Sequence, residues 1–122
     1  MARHVLLIED EPNIAEAIRF ILARDGFAVT THASGDGAVA RVRDLAPDLV
    51  ILDVMLPGQS GFEVLTALRA DPAFAGLKVV MLTARGQTRD REAAERAGVD
   101  LFITKPFSNA EFLSSLRALV AQ

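Results

Sequence analysis

Four apolar runs in this 122-residue chain each stop at a polar residue that could take part in phosphate chemistry. Val5-Leu6-Leu7-Ile8 runs into Glu9-Asp10, and Leu49-Val50-Ile51-Leu52 into Asp53. Val79-Val80-Met81-Leu82 is followed by Thr83, and Leu101-Phe102-Ile103-Thr104 by Lys105. Side by side, these runs would gather three carboxylates, a hydroxyl and an ammonium at one edge. Carboxylates that share a cleft repel one another and drive one pKa upward. A hard divalent cation removes that conflict, and Mg²⁺ takes one or two carboxylates while keeping several waters. A lysine and a hydroxyl aimed at the same point donate to anionic oxygens, so the set suits a phosphoryl group beside a cation.

Each of these residues also has a plainer explanation. Acids at the start of a helix are favoured by its macrodipole, which accounts for Glu11 without any chemistry. A loop aspartate after a strand is ordinary turn chemistry, and a threonine there often caps the next helix. A lysine before proline, as in Lys105-Pro106, is usually just solvated. What favours a site is their convergence on one edge. His4 and His32 have no partner spacing that suggests a metal site or a phosphohistidine relay, and are read as structural or solvent-facing.

Convergence requires a particular architecture. Short unbroken apolar runs rich in β-branched residues read as strands of a parallel sheet covered on both faces. Ligands of such sheets bind beyond the carboxyl ends of the strands. Between the runs lie helical stripes. The first carries Ile14, Ala17, Ile18, Ile21 and Leu22, entered through Pro12 and closed by Gly26. After a weak strand at Ala28 to Thr31 comes a helix with Ala38, Val39, Val42 and Leu45, ending before Pro47. A third carries Phe62, Val64, Leu65 and Leu68 and gives way to Asp71-Pro72. The fourth, Arg89 to Ala97, offers little beyond Ala93, Ala94 and Ala97 and should be the least firmly held. Ser108-Asn109-Ala110-Glu111 reads as a capping box opening the last helix, with Phe112, Leu113, Leu116, Leu119 and Val120 as its stripe. Five strands alternating with five helices imply a doubly wound α/β fold with helices on both faces.

Composition narrows the function. The length fits one domain with a real core. The chain has no cysteine, which excludes disulfides and thiolate chemistry. A net charge of −3 gives no footprint for nucleic acid or an anionic membrane. The opening apolar stretch is too short for a signal peptide or a membrane span, so a cytoplasmic protein is expected.

Glu9-Asp10-Glu11, Leu52-Asp53-Val54-Met55-Leu56-Pro57-Gly58, Thr83-Ala84 and Lys105-Pro106-Phe107, in this order and spacing, resemble the receiver domain of two-component response regulators. The resemblance runs essentially end to end, so residues 1–122 are read as a single receiver domain. It is nearest to receivers of winged-helix transcription regulators, and it implies the flavodoxin-like strand order 2-1-3-4-5. It further implies that Asp53 is the phosphoacceptor, supplied by a phosphohistidine on a sensor histidine kinase or phosphotransfer protein. Asp10, Asp53 and the backbone carbonyl of Met55 would hold Mg²⁺, with Mn²⁺ as a substitute and Glu9 acting through water. Thr83 and Lys105 would bind phosphoryl oxygens, Ala84 would leave room for them, and Lys105-Pro106 would be cis. Thr83 and Phe102 would form the switch to an output face on the fourth helix, last strand and last helix. Two charge-assisted hydrogen bonds at roughly 1.5–3 kcal/mol each supply the roughly 5.5 kcal/mol that a near-complete population shift needs.

Some positions depart from the pattern. Phe102 stands where many relatives carry tyrosine. Arg91 and Glu111 keep one charge pair of the expected dimer, but Arg96 and Arg117 are like charges, and Leu101 and Ser115 replace another pair. A monomer or weak homodimer is therefore expected. A single-domain regulator or a receiver cut from a longer one is expected, and direct nucleic-acid binding by residues 1–122 is not expected. The rival reading is a phosphatase-type enzyme with an aspartyl-phosphate intermediate. Such enzymes resemble one another in an acid two residues after the nucleophile, where this chain has Met55. A flavin carrier would need a hydroxyl-rich phosphate loop in place of Glu9-Asp10-Glu11. A phosphorylation-dead scaffold would lack a site residue, and none is missing here.

Overall fold

The computed structural model describes residues 3–84 and 88–121. Strands β1 (His4–Ile8), β2 (Ala28–His32), β3 (Leu49–Asp53), β4 (Lys78–Thr83) and β5 (Leu101–Thr104) alternate with helices α1 (Pro12–Arg24), α2 (Ala38–Leu45), α3 (Gly61–Ala70), α4 (Thr88–Ala97) and α5 (Asn109–Val120). The strands form one parallel sheet in the order β2-β1-β3-β4-β5.

Alternation along the central strands divides the core into two layers. Leu6, Ile8, Val50, Leu52, Val79 and Met81 face α2, α3 and α4, where Val42, Leu65, Leu68 and Ala94 meet them. Val5, Leu7, Leu49, Ile51, Val80 and Leu82 face α1 and α5, where Ile18, Leu22, Phe112 and Leu116 meet them. Both faces of the sheet are therefore covered, which is why the strands read as unbroken apolar runs. The expected stripe on α1 needs one correction: Ala17 is exposed, and Ala15 packs against the core instead.

Local signals set the helix ends. Pro12 sits in the first turn of α1. Helix α2 stops at Leu45 because Pro47 disfavours helical geometry in the residue before it; Ala46 turns into the left-handed region, φ 46°. The capping box falls elsewhere than expected. Ser60 and Glu63 complete one at the start of α3, whereas at α5 only the Ser108 half forms, accepting the Glu111 N–H at 3.0 Å. Of the side chains described on α4, only Ala94 is fully buried.

Register carries this fold to chemistry. Ile8 pairs with Leu52, so Glu9 and Asp53 emerge at the same level on neighbouring strands. Thr83 pairs with Thr104, which puts Lys105 beside them one step on.

Candidate functional site

The side chains of Glu9, Asp10, Asp53 and Lys105 converge at the carboxyl edge. The carboxylates of Glu9, Asp10 and Asp53 each place an oxygen within 4.8 Å of the other two. The Lys105 ammonium donates to Asp53 Oδ2 at 2.8 Å and to Glu9 Oε1 at 2.9 Å. Asp53 Oδ1 accepts the Met55 N–H at 3.0 Å, which fixes the orientation of the carboxylate. Thr83 is buried beside them, and its carbonyl accepts the Lys105 N–H at 2.7 Å. The Lys105–Pro106 peptide is cis. Around the cluster lies a cleft of about 310 Å³, whose walls include Ile14, Met55 and Ala84.

Burial differs sharply among the acids. Asp10 is exposed, while Glu9 is 3 % and Asp53 6 % exposed. Burial, and then the hydrogen-bonded neighbour Asp53, push the Glu9 carboxyl up to about 7, against the opposing pull of Lys105. Burial works against the Lys105 ammonium, but its bonds to Asp53 and Glu9 outweigh it and hold the lysine above its ordinary range. The resemblance gives Glu9 a role through water; its carboxylate also has direct partners. Here its second oxygen faces the Glu11 N–H at 3.4 Å and its first is bonded directly to Lys105. The charge conflict falls on Glu9, which the register brings level with Asp53.

Hard oxygen donors, two of them on buried carboxylates that one ammonium must offset, are what a small divalent cation would relieve. The donor set fits Mg²⁺.

Geometry alone would suit several phosphoryl-transfer proteins, and the comparison with known families separates them. The family model of the response regulator receiver domain matches residues 5–117. The chain belongs to this family. Similar proteins include the phosphate regulon transcriptional regulatory protein PhoB of Escherichia coli, 40 % identical over 98 % of this chain and 52 % of PhoB. The DNA-binding response regulator MtrA of Mycolicibacterium smegmatis is 39 % identical over 97 % of this chain and 50 % of MtrA. Among solved structures, the chemotaxis protein CheY4 of Vibrio cholerae superposes with a TM-score of 0.90 at 26 % identity, covering 98 % of this chain and 99 % of CheY4. The receiver domain thus spans about half the length of the transcriptional regulators it resembles.

Sequence reasoning missed three features of this receiver domain. Phe102 is buried, and the Arg91 guanidinium lies 5.0 Å from its ring centroid and donates to its carbonyl at 3.4 Å. Arg117 donates through both Nε and Nη2 to the Asp25 carboxylate. Two of the three arginines assigned to the output face, Arg91 and Arg117, are thus engaged within the chain. Arg69 donates to the carbonyls of Phe74, Leu77 and Gly98 and to Asp100 Oδ2 at 2.8–3.0 Å. A bulky apolar neighbour could have flagged Arg91, but nothing local in the sequence marks Arg69 or Arg117. No helix among the described residues is long and apolar enough to cross a membrane.

Proposed function

We propose that this receiver domain accepts a phosphoryl group onto Asp53 from a phosphohistidine of a sensor histidine kinase or phosphotransfer protein. An Asp53 carboxylate oxygen attacks phosphorus; the P–O bond forms as the P–N bond breaks, and its electron pair leaves with the imidazole nitrogen. The observation that carries this reading is the bridge from Lys105 to Asp53 and Glu9 beside the three clustered carboxylates. Asp10, Asp53 and the Met55 carbonyl would hold Mg²⁺, with Glu9 reaching it through water. When bound, the ion would offset charge on the transferring group. Lys105 and Thr83 receive the phosphoryl oxygens, and the Met55 N–H holds the second carboxylate oxygen in place.

Met55 is 74 % exposed and carries no proton to give a leaving group, so sustained phosphatase turnover has no general acid at that position. The domain acts as a regulatory acceptor. Its output face is α4, β5 and α5, with Thr83 and buried Phe102 as the switch. With Arg91 and Arg117 engaged inside the chain, the unphosphorylated domain is a monomer or a weak homodimer.

Intact-mass spectrometry after acetyl phosphate and Mg²⁺ tests the assignment. One labile phosphoryl group is expected on the wild type, none on Asp53→Asn, and lost Mg²⁺ binding in Asp10→Ala. Undiminished labelling of Asp53→Asn would sink it.

A further inference from the structure

The turn that bears Met55 is held from a second loop that the chemistry so far has not used. Residues 54–60 join β3 to α3. One end of this turn is fixed at Gly61, whose N–H donates to the Val54 carbonyl at 2.9 Å. A Cβ at Gly61 would lie 2.2 Å from the Asp53 carbonyl oxygen. The middle of the turn meets residues 33–37, which join β2 to α2. There the Pro57 carbonyl accepts two bonds, from the Gly35 N–H at 3.0 Å and the Ser34 hydroxyl at 3.1 Å. Ser34 Oγ in turn accepts the Asp36 N–H at 3.0 Å, which leaves its own proton for Pro57.

The two loops interlock at glycines. Gly35 is buried, and a Cβ there would lie 1.7 Å from the Gln59 carbonyl oxygen, a backbone atom that cannot swing aside. Gly58, at φ +77°, lies under the Asp36 carboxylate, which a Cβ would meet at 2.4 Å. Close approach is thus built from both sides, and only glycine permits it.

We infer that Ser34 and Gly35 are positioning residues of the phosphorylation site, acting on Met55 through the Pro57 carbonyl. The inference rests on the proposed role of Met55 beside Asp53. Pro57 follows Met55 by two residues, and with planar peptides and the fixed φ of Pro57 few soft dihedrals lie between the two. Met55 holds Asp53 Oδ1 through its N–H, and in the proposed function its carbonyl would serve the cation. Partners that orient ligands from outside typically change metal affinity by about 10–100-fold when removed.

The test uses the full chain with Ser34→Ala, Ser34→Thr and Gly35→Ala. In metal-free protein, Ser34→Ala is expected to shift the Met55 amide resonance and speed its hydrogen exchange. Its Mg²⁺ affinity should fall by about 10-fold, with the thermal midpoint little changed. Ser34→Thr keeps the hydroxyl and should restore both readouts. Gly35→Ala should weaken Mg²⁺ by up to about 100-fold; if it fails to fold, Ser34→Ala still decides. A Ser34→Ala protein with wild-type Mg²⁺ affinity and an unmoved Met55 amide would overturn the inference. Absence of Mg²⁺ binding by the wild type would instead overturn the functional reading, and the metal-free Met55 amide would then judge the positioning by itself.

Discussion

The two ends of the sheet treat charge in opposite ways. At the amino end, where helices finish and strands begin, three arginines each hold an aspartate: Arg69 with Asp100, Arg43 with Asp71, Arg117 with Asp25. Asp100 Oδ2 also takes the Val79 N–H at 2.8 Å, so the Arg69 clamp ties α3, the turn at Pro72–Phe74, β4 and the approach to β5 together. At the carboxyl end a single ammonium bridges two buried carboxylates, with a third alongside. One end is neutralised and stabilises the fold. The other holds unbalanced charge in place, which in the proposed function a cation and a transferring group would complete.

The largest effect should come from breaking the neutral end. Arg69→Ala removes the one side chain that donates to the Phe74, Leu77 and Gly98 carbonyls and to Asp100, and should cost about 3–4 kcal/mol, read by urea unfolding at pH 7. Arg69→Lys restores the charge but not the fork, so it should recover only part of that loss. An Arg69→Ala protein as stable as wild type would dissolve the contrast.

The charged end should show itself in pH dependence. With its carboxyl raised from 4.5 to about 7, folded Glu9 binds its proton more tightly than unfolded Glu9. Between those pH values the folded state carries the extra proton, so stability falls as pH rises through the window and the deficit is complete above about 7. At full extent this is about 3 kcal/mol. Glu9→Gln should remove this slope, gaining on wild type as pH climbs from 4.5 to 7, as measured by unfolding at a series of pH values. Parallel curves for the two proteins would mean that Glu9 titrates as an ordinary carboxylate.

The contrast was only half legible in the chain. The strands could be read because both faces of the sheet are covered, and the charged end because four of the five strands give way abruptly to a polar residue. The level pairing of Ile8 with Leu52, which brings Glu9 against Asp53, follows from register and was not visible in order alone. The neutral end left no local mark. Arg69 and Asp100 are 31 residues apart, and an arginine on the polar side of an amphipathic helix looks solvated until the tertiary fold closes around it. The capping box at Ser60 and Glu63 was readable from its spacing, unlike the Ser34–Pro57 contact, which joins two loops that meet only once β1 and β3 are paired.

The smallest effect should come from Asp25→Ala, which frees Arg117 at an exposed position. Its thermal midpoint should stay close to that of wild type, and light scattering should still report a monomer or weak dimer. A tight dimer that dissociates on raising salt would show that the neutral end had been withholding Arg117 from a partner.

The Arg69 clamp also makes α4 a lever with one fixed end. Beyond the helix, Gly98 is held through its carbonyl at 2.9 Å, Val99 bonds back to Ala94, and Asp100 bonds to Val79. The opposite end starts at Thr88, past the strand that delivers Thr83 to the site. Ten residues of helix span about 15 Å, so a turn of about 10° about the held end carries the first turn some ~2.6 Å sideways while Gly98 stays still. Motion would therefore be greatest where the phosphoryl group arrives and would die out toward the pivot. Amide exchange along α4 should slow steadily from its first turn to Ala97.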